Sequence, residues 1–334
     1  MGKVITIGEI MLRLSTHQGT RLAQSDALMV QYGGGEANVA ISLANYGHES
    51  YFASKVPDNS LGDAVSKHLN RYGVHTDYLL YGGDRLGSYY VESGIGQRAT
   101  TVIYDRAYSS FAQMQAIEWL PETLFSKADI FHVSGITPAL SPAWRRLTLE
   151  LMKSAKRQGC KVSFDINFRS KLWTQQEAGE ALAELFPYVD YCSAGEMDAL
   201  HLMAIEECPE GQSELSYYYQ KMQEKYPNIQ LFYSTKREVT SASVNTLVGT
   251  LWVNDNYYES LLYPINPIVD RVGGGDAFCG GILHGILTKI APQVLIEFAT
   301  AASALKHTVE GDCNQFSEQE VKQFMNNQSG KIIR

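Results

Sequence analysis

Short runs of β-branched and aromatic residues alternate with longer stretches whose apolar positions recur every three or four residues. Residues 4–10 read as a strand, 37–46 as a helix closed by Gly47, and 50–56 as a second strand. A helical period over 61–72 stops at Gly73, a residue suited to the left-handed turn in which helices often end. Residues 129–133 are strand-like. Trp144, Leu147, Leu151, Met152 and Ala155 then share one helical face, in a segment that ends at Gly159. Residues 161–166 and 230–234 resume the strand pattern. Parallel strands need crossovers, which helices supply, so this rhythm predicts an α/β chain with a mostly parallel sheet and helices on both faces. Ligands in such a layout lie beyond the carboxyl ends of the strands.

Two segments break the rhythm. Residues 11–32 carry no helical period, and 86–91 with 101–104 read as a hairpin around Ser93, Gly94, Ile95 and Gly96. They predict a small β-lid, formed by about 11–32 and 86–107, inserted between βα units. No repeat, low-complexity tract or Pro-rich linker divides the rest, so residues 1–334 are read as one domain. From about 276 to 325 the pattern is nearly all helical: a helix opening at Gly275-Asp276, another over 293–307, and a third over 317–324 begun by a Ser317/Glu320 capping box.

Composition narrows the function. The 334 residues include 45% hydrophobic and 19% charged, an ordinary folded composition, and 28 basic against 36 acidic residues give a net charge of −8. That balance gives no reason to expect a nucleic acid or an anionic membrane as partner. The chain reaches Glu9 too soon for a signal-peptide core, and no apolar run approaches the roughly 18 residues of a membrane span. Cys160, Cys192, Cys208, Cys279 and Cys313 are scattered, odd in number and without CxxC spacing. A disulfide framework or structural zinc site is therefore not expected, and a reducing cytoplasm is the expected setting.

The segment Asp270-Arg271-Val272-Gly273-Gly274-Gly275-Asp276-Ala277-Phe278 carries the most chemistry. Three glycines expose backbone amides and lead into a helix N-terminus, which together make an anion cradle suited to phosphate. An Asp facing that anion invites a second role, taking the proton from a hydroxyl that attacks phosphorus. The helix N-terminus should hold Asp276 ionised. The plainer alternative is a tight loop whose Asp only caps the helix. GxxxxGK[ST], GxGxxG, GxSxG and HExxH are all absent, which leaves a nucleotide-dependent dehydrogenase, a hydrolase or a zinc protease with little support.

With these motifs in view, the sequence resembles the ribokinase-like (PfkB) family of carbohydrate kinases. Gly33 and Gly34 with Asn38 and Ala40 match the family's GG-x-x-x-N-x-A signature, and 270–278 match its D-x-x-G-x-G-D-x-F signature. The resemblance spans essentially the whole chain. It implies a three-layer α/β/α sandwich, ATP and Mg²⁺ as cofactors, and a lid that closes over the sugar and joins two copies into a homodimer or higher oligomer. Within the family the chain is most similar to 2-keto-3-deoxygluconate kinases, through Gly87-Ser88-Tyr89, residues 102–106, residues 164–173 and Glu310-Gly311-Asp312.

The resemblance implies site residues one by one. Gly273, Gly274 and Gly275 form the anion hole and Asp276 is the base. Gly34, Asn38, Tyr89, Tyr104, Arg106, Arg169 and Asp312 meet the sugar acid. Asn167, Arg169, Ser193, Thr235, Arg237 and Ser303, with the glycine turn, meet ATP, and Glu196 organises magnesium through water. Arg106 and Arg169 suit a carboxylate, which a planar guanidinium grips bidentately. Three departures stand out. Arg271-Val272 replaces the family's Thr-Thr, Ser193 stands where relatives carry Asn, and Ser234 to Glu238 occupy the place of the T-x-G-x-x-G nucleotide turn. Ala301, Ser303 and Ala304 lie on a helix that would wall the adenine. The expected activity is ATP-dependent phosphorylation of 2-keto-3-deoxygluconate on its 6-hydroxyl. The alternatives are a kinase of fructose, ribose or a nucleoside, and a sugar-binding protein without catalysis.

Overall fold

The computed structural model describes residues 1–211 and 214–326, so the last eight residues of the 1–334 span lie outside the described residues. Its strands are β1 (Lys3–Ile7), β2 (Met11–Ser15), β3 (Met29–Gly33), β4 (Glu49–Val56), β5 (Leu79–Tyr81), β6 (Ser88–Glu92), β7 (Thr101–Asp105), β8 (Ile130–Ser134), β9 (Lys161–Asp165), β10 (Tyr191–Ser193), β11 (Leu231–Ser241), β12 (Val244–Val253), β13 (Asn256–Glu259) and β14 (Tyr263–Ile265). The large sheet runs β13-β12-β11-β10-β9-β8-β1-β4-β5, parallel from β11 through β5, with β14 pairing β12.

Alternate residues along the central strands build the two halves of a three-layer core. Val4, Ile130, Leu231 and Leu251 face the helices Gly35–Asn45, Gly274–Thr288 and Pro292–Lys306. Ile5, Phe131, Phe232 and Trp252 face the helices Pro142–Arg157, Gln175–Leu185 and Glu214–Lys225. A sheet covered on both faces needs apolar residues at every position, and this is why its strands read as continuous hydrophobic runs.

The lid is a separate sheet in the order β3-β2-β6-β7, and its β6–β7 hairpin sets Tyr89 opposite Tyr104. Two bonds tie the lid tip to the β11–β12 turn: Ala242 N donates to Gly96 O at 2.8 Å and Gly96 N to Ser243 Oγ at 3.0 Å.

The expected strand over 4–10 ends early, at Ile7. Gly8 there packs against the Glu36 carboxylate so closely that a Cβ would overlap it, and residues 8–10 carry the chain across to the lid. The strand expected over 230–234 instead runs to Ser241, because nothing in Thr235-Lys236-Arg237-Glu238 favours a turn and the segment pairs with β12. The Ser317/Glu320 capping box is present, with Ser317 N donating to Glu320 Oε2 at 2.8 Å.

Candidate active site

A cavity of about 320 Å³ opens between the lid and the carboxyl ends of the parallel strands. The glycine turn supplies one wall with Gly273, Gly274, Gly275 and Asp276. The lid contributes Tyr89, Tyr104 and Arg106, while Gly34 and Asn38 come from the start of the Gly35–Asn45 helix. Asn167 and Arg169 follow β9, Arg237 comes from β11, and Asp312 follows the Pro292–Lys306 helix. Thirteen of the residues singled out from sequence thus meet in one place.

The turn is shaped from behind. Gly273 takes φ +82° and lies against the Asp312 carbonyl oxygen, where any Cβ would overlap it. Ser303 Oγ donates to Gly274 O at 2.8 Å, and the His307 ring lies beneath Gly274. A Cβ on Gly275 would meet nothing, since that residue faces the open cavity. The first intrahelical bond runs from Ala277 N to Gly273 O at 2.9 Å. The amides of Gly274, Gly275 and Asp276 precede it, and the positive end of the helix dipole adds to their pull on an anion.

Asp276 stands in the first turn, and Asn38 Nδ2 donates to its Oδ2 at 2.7 Å. Burial pushes the Asp276 carboxyl up to about 7, helped by Asp165, Asp312 and Glu36 and opposed by the Asn38 hydrogen bond. The expectation that the helix end alone keeps this group ionised is therefore corrected: desolvation among carboxylates outweighs it. The result is a proton acceptor matched to neutral pH.

The guanidinium groups differ in what already holds them. Arg106 grips Glu9 with both Nε, at 2.8 Å, and a terminal nitrogen, while Ser109 Oγ donates to the other Glu9 oxygen at 2.5 Å. Among the described residues Arg169 bonds only to carbonyls of its own loop, 3.0 Å from Phe168 O. Arg237 and Arg271 have no carboxylate partner among the described residues, and each lines the cavity beside the glycine turn. Burial, with the repulsion of Arg271, pushes Arg237 down to about 10.

Six expected residues fall elsewhere. Thr235 and Glu196 line a neighbouring cavity of about 550 Å³, which shares Arg237 with the first. The Ser193 side chain instead hydrogen-bonds the Asp165 carboxylate. Ser303 is fully buried behind the turn, and Ala301 and Ala304 pack among Tyr46, Leu247 and Tyr263. The expected adenine wall is thus core, because that helix turns its small residues onto the sheet and the neighbouring helix rather than outward.

The pfkB family carbohydrate kinase pattern matches residues 1–319. The chain belongs to that family. It is a carbohydrate kinase, a phosphotransferase with an alcohol acceptor. It is 33% identical over 334 residues to a 2-dehydro-3-deoxygalactonokinase of Haloferax volcanii, covering 99% of each chain. Among solved structures, a PfkB family carbohydrate kinase from Listeria grayi superposes with a TM-score of 0.94 at 46% identity, over 97% of this chain and 100% of that one. A 2-dehydro-3-deoxygluconokinase from Thermotoga maritima gives 0.94 at 39% identity, over 98% and 100%.

Three residues of the kinase's site escape a reading by motif. Glu9, 5% exposed, holds Arg106, and its signal was a carboxylate within the first strand-like run. Asp165 ends β9 and lines the cavity, its carboxyl pushed up to about 6 by burial. Arg13, 2% exposed, lies in the lid strand β2 and left no trace beyond an Arg among apolar residues.

Proposed function

We propose that the kinase transfers the γ-phosphoryl group of ATP to the primary 6-hydroxyl of 2-keto-3-deoxygluconate. What carries this reading is the convergence, in one cavity, of a glycine turn at a helix N-terminus, a carboxyl with affinity for a proton near pH 7, and guanidiniums without carboxylate partners. Ligand names among the relatives, both 2-keto-3-deoxy sugar acids, support the same substrate class.

In this reading Asp276 takes the hydroxyl proton as the oxygen attacks phosphorus, and the amides of Gly273 to Asp276 hold the developing charge on the phosphoryl oxygens. Asn38 Oδ1, buried with no partner among the described residues, accepts from a second sugar hydroxyl. Tyr89 and Tyr104, stacked with centroids 5.8 Å apart, cover the sugar together with Gly34 and Asp312. Arg169 meets the carboxylate, with Arg106 beside it. Asn167, Arg237 and Thr235 meet the nucleotide. Magnesium enters with ATP and neutralises phosphate charge. Glu196, half-buried, without an ion pair among the described residues and lining the cavity beyond Arg237, suits a water-mediated contact to it. The closed lid excludes water from the transfer.

The same reading extends to the assembly. Residues 1–334 act as one kinase domain working in the cytoplasm, and the lid joins two copies. Its outer strands β3 and β7 have free edges among the described residues, and Val30 and Ile103 there are 60% and 51% exposed. The test is an ADP-release assay across 2-keto-3-deoxygluconate, its galacto epimer, fructose, ribose and a nucleoside, with the product's phosphate located by NMR. Equal turnover of neutral sugars and sugar acids would refute the substrate; no ADP release with any sugar would leave a non-catalytic sugar-binding protein.

A further inference from the structure

Arg13 lies in lid strand β2 but points its guanidinium into the body of the kinase, where it is almost completely buried. One terminal nitrogen donates to Asp312 Oδ1, and the other donates to Asp270 Oδ2 at 2.5 Å. Asp270 opens the glycine-rich segment yet does not line the cavity, so the transfer chemistry makes no use of its carboxylate. That carboxylate instead accepts the amides of Val272 at 3.0 Å and Gly311 at 3.1 Å, while the buried Lys306 Nζ donates to the Asp270 carbonyl at 3.1 Å. Asp312 Oδ2 accepts the Tyr89 hydroxyl from lid strand β6, and the Asp312 carbonyl backs Gly273.

Two cations and two anions thus join four segments far apart in sequence: the lid, the phosphate turn, the end of the Pro292–Lys306 helix and the residues after it. Burying such a set costs several kcal/mol per ion before pairing, and apolar residues of like size often stabilise a fold as well or better. What the ion set does supply is direction and fixed distance. Arg13 is the one member of the set that belongs to the lid, and it reaches the Asp270 that opens the turn.

We propose that Arg13 is a positioning residue that couples acceptor binding beneath the lid to the shape of the phosphate turn. A sugar acid held by Tyr89 and Asp312 orders Arg13. Through Asp270 this fixes the Val272 amide and the register of Gly273 to Gly275. Acceptor and nucleotide then bind with positive coupling, and linkage requires the effect to be reciprocal. This inference rests on the kinase reading above. Another tether of the lid, from Gly96 to Ala242 and Ser243, reaches the β11–β12 hairpin and not the turn, which makes it a built-in control.

The experiment titrates the full chain by calorimetry with magnesium and a non-hydrolysable ATP analogue, with and without saturating 2-keto-3-deoxygluconate, and then in the reverse order. In the unchanged enzyme each ligand should tighten the other by about tenfold. Arg13→Lys, whose ammonium reaches one carboxylate but not both, should bind either ligand alone within about threefold of the parent, with the coupling reduced to less than about twofold. Its kcat should fall more than its KM rises. Asp270→Asn should lose coupling in the same way and serves if Arg13→Lys does not melt cooperatively. Ser243→Ala should keep the coupling. Undiminished coupling in Arg13→Lys and Asp270→Asn overturns the proposal, as does loss confined to Ser243→Ala or a parent enzyme that binds both ligands independently. A parent enzyme that binds neither ligand overturns the kinase reading, and this inference with it.

Discussion

Asn38 Nδ2 donates to Asp276 Oδ2 at 2.7 Å, while the Asn38 Oδ1 is buried with no partner of its own among the described residues. One amide therefore does two jobs. It steadies the charged form of Asp276 and leaves an acceptor for a ligand hydroxyl. Because that hydrogen bond lowers a carboxyl that burial has raised to about 7, removing it should raise the group further. In Asn38→Leu the acid limb of kcat/KM should move to higher pH by about half a unit to one unit, and activity at pH 6 should fall more than at pH 8. A pH–rate profile with an unmoved acid limb would separate Asn38 from the base.

The same carboxyl should weaken the fold. Its affinity for a proton is higher folded than unfolded, since the ordinary value is 3.8 and the folded value about 7. Folding stability contributed by the protonated form is therefore present at low pH and lost as pH rises from about 4 to about 7. Asp276→Asn should abolish turnover, leave sugar binding largely intact, and stabilise the chain at pH 8 by on the order of 2 kcal/mol, with no gain at pH 4. Urea unfolding at the two pH values reads this directly. An equal effect of the substitution at both would mean that folding does not raise the Asp276 carboxyl.

The resemblance pairs Arg106 and Arg169 as carboxylate ligands, but Glu9 already neutralises Arg106. Among the described residues Arg169 makes only carbonyl bonds to its own loop, which leaves its charge for a substrate. Arg169→Ala should raise KM for the sugar acid by roughly 10- to 100-fold, the scale of a charged hydrogen bond, and leave a neutral sugar within about threefold. Parallel assays showing equal losses would remove the carboxylate contact.

Much of this was legible in the chain because the relevant signals are local. The three glycines before a helix, the period of 61–72 and the Ser317/Glu320 box each declare themselves within a few residues, and each is found in place. Non-local pairings left no such trace. Arg13 finds Asp270 across 257 residues, and Arg106 finds Glu9 across 97. Ser303 failed as a nucleotide ligand for a related reason: a small polar residue on a helix fits an open wall or a packed core equally well until its neighbours are known. The missing T-x-G-x-x-G turn was visible, but not its replacement, a ladder in which Arg237 pairs with Leu247.

That replacement bears on the nucleotide. A glycine turn would offer amides at this point, whereas β11 offers the Arg237 side chain, crowded by Arg271 and pushed down to about 10 by burial and that repulsion. Two guanidiniums held together without a carboxylate favour an anion of high charge, and a polyphosphate fits that need. Arg237→Met keeps the apolar stem and removes the charge. It should raise KM for ATP by roughly tenfold or more and leave KM for the sugar acid unchanged. The variant should melt no lower than the parent, since a repulsive pair has been relieved. Analogue binding should also depend less steeply on salt. An unchanged KM for ATP, or an equal rise for both substrates, would take Arg237 out of the phosphate contact and leave the nucleotide to the glycine turn alone.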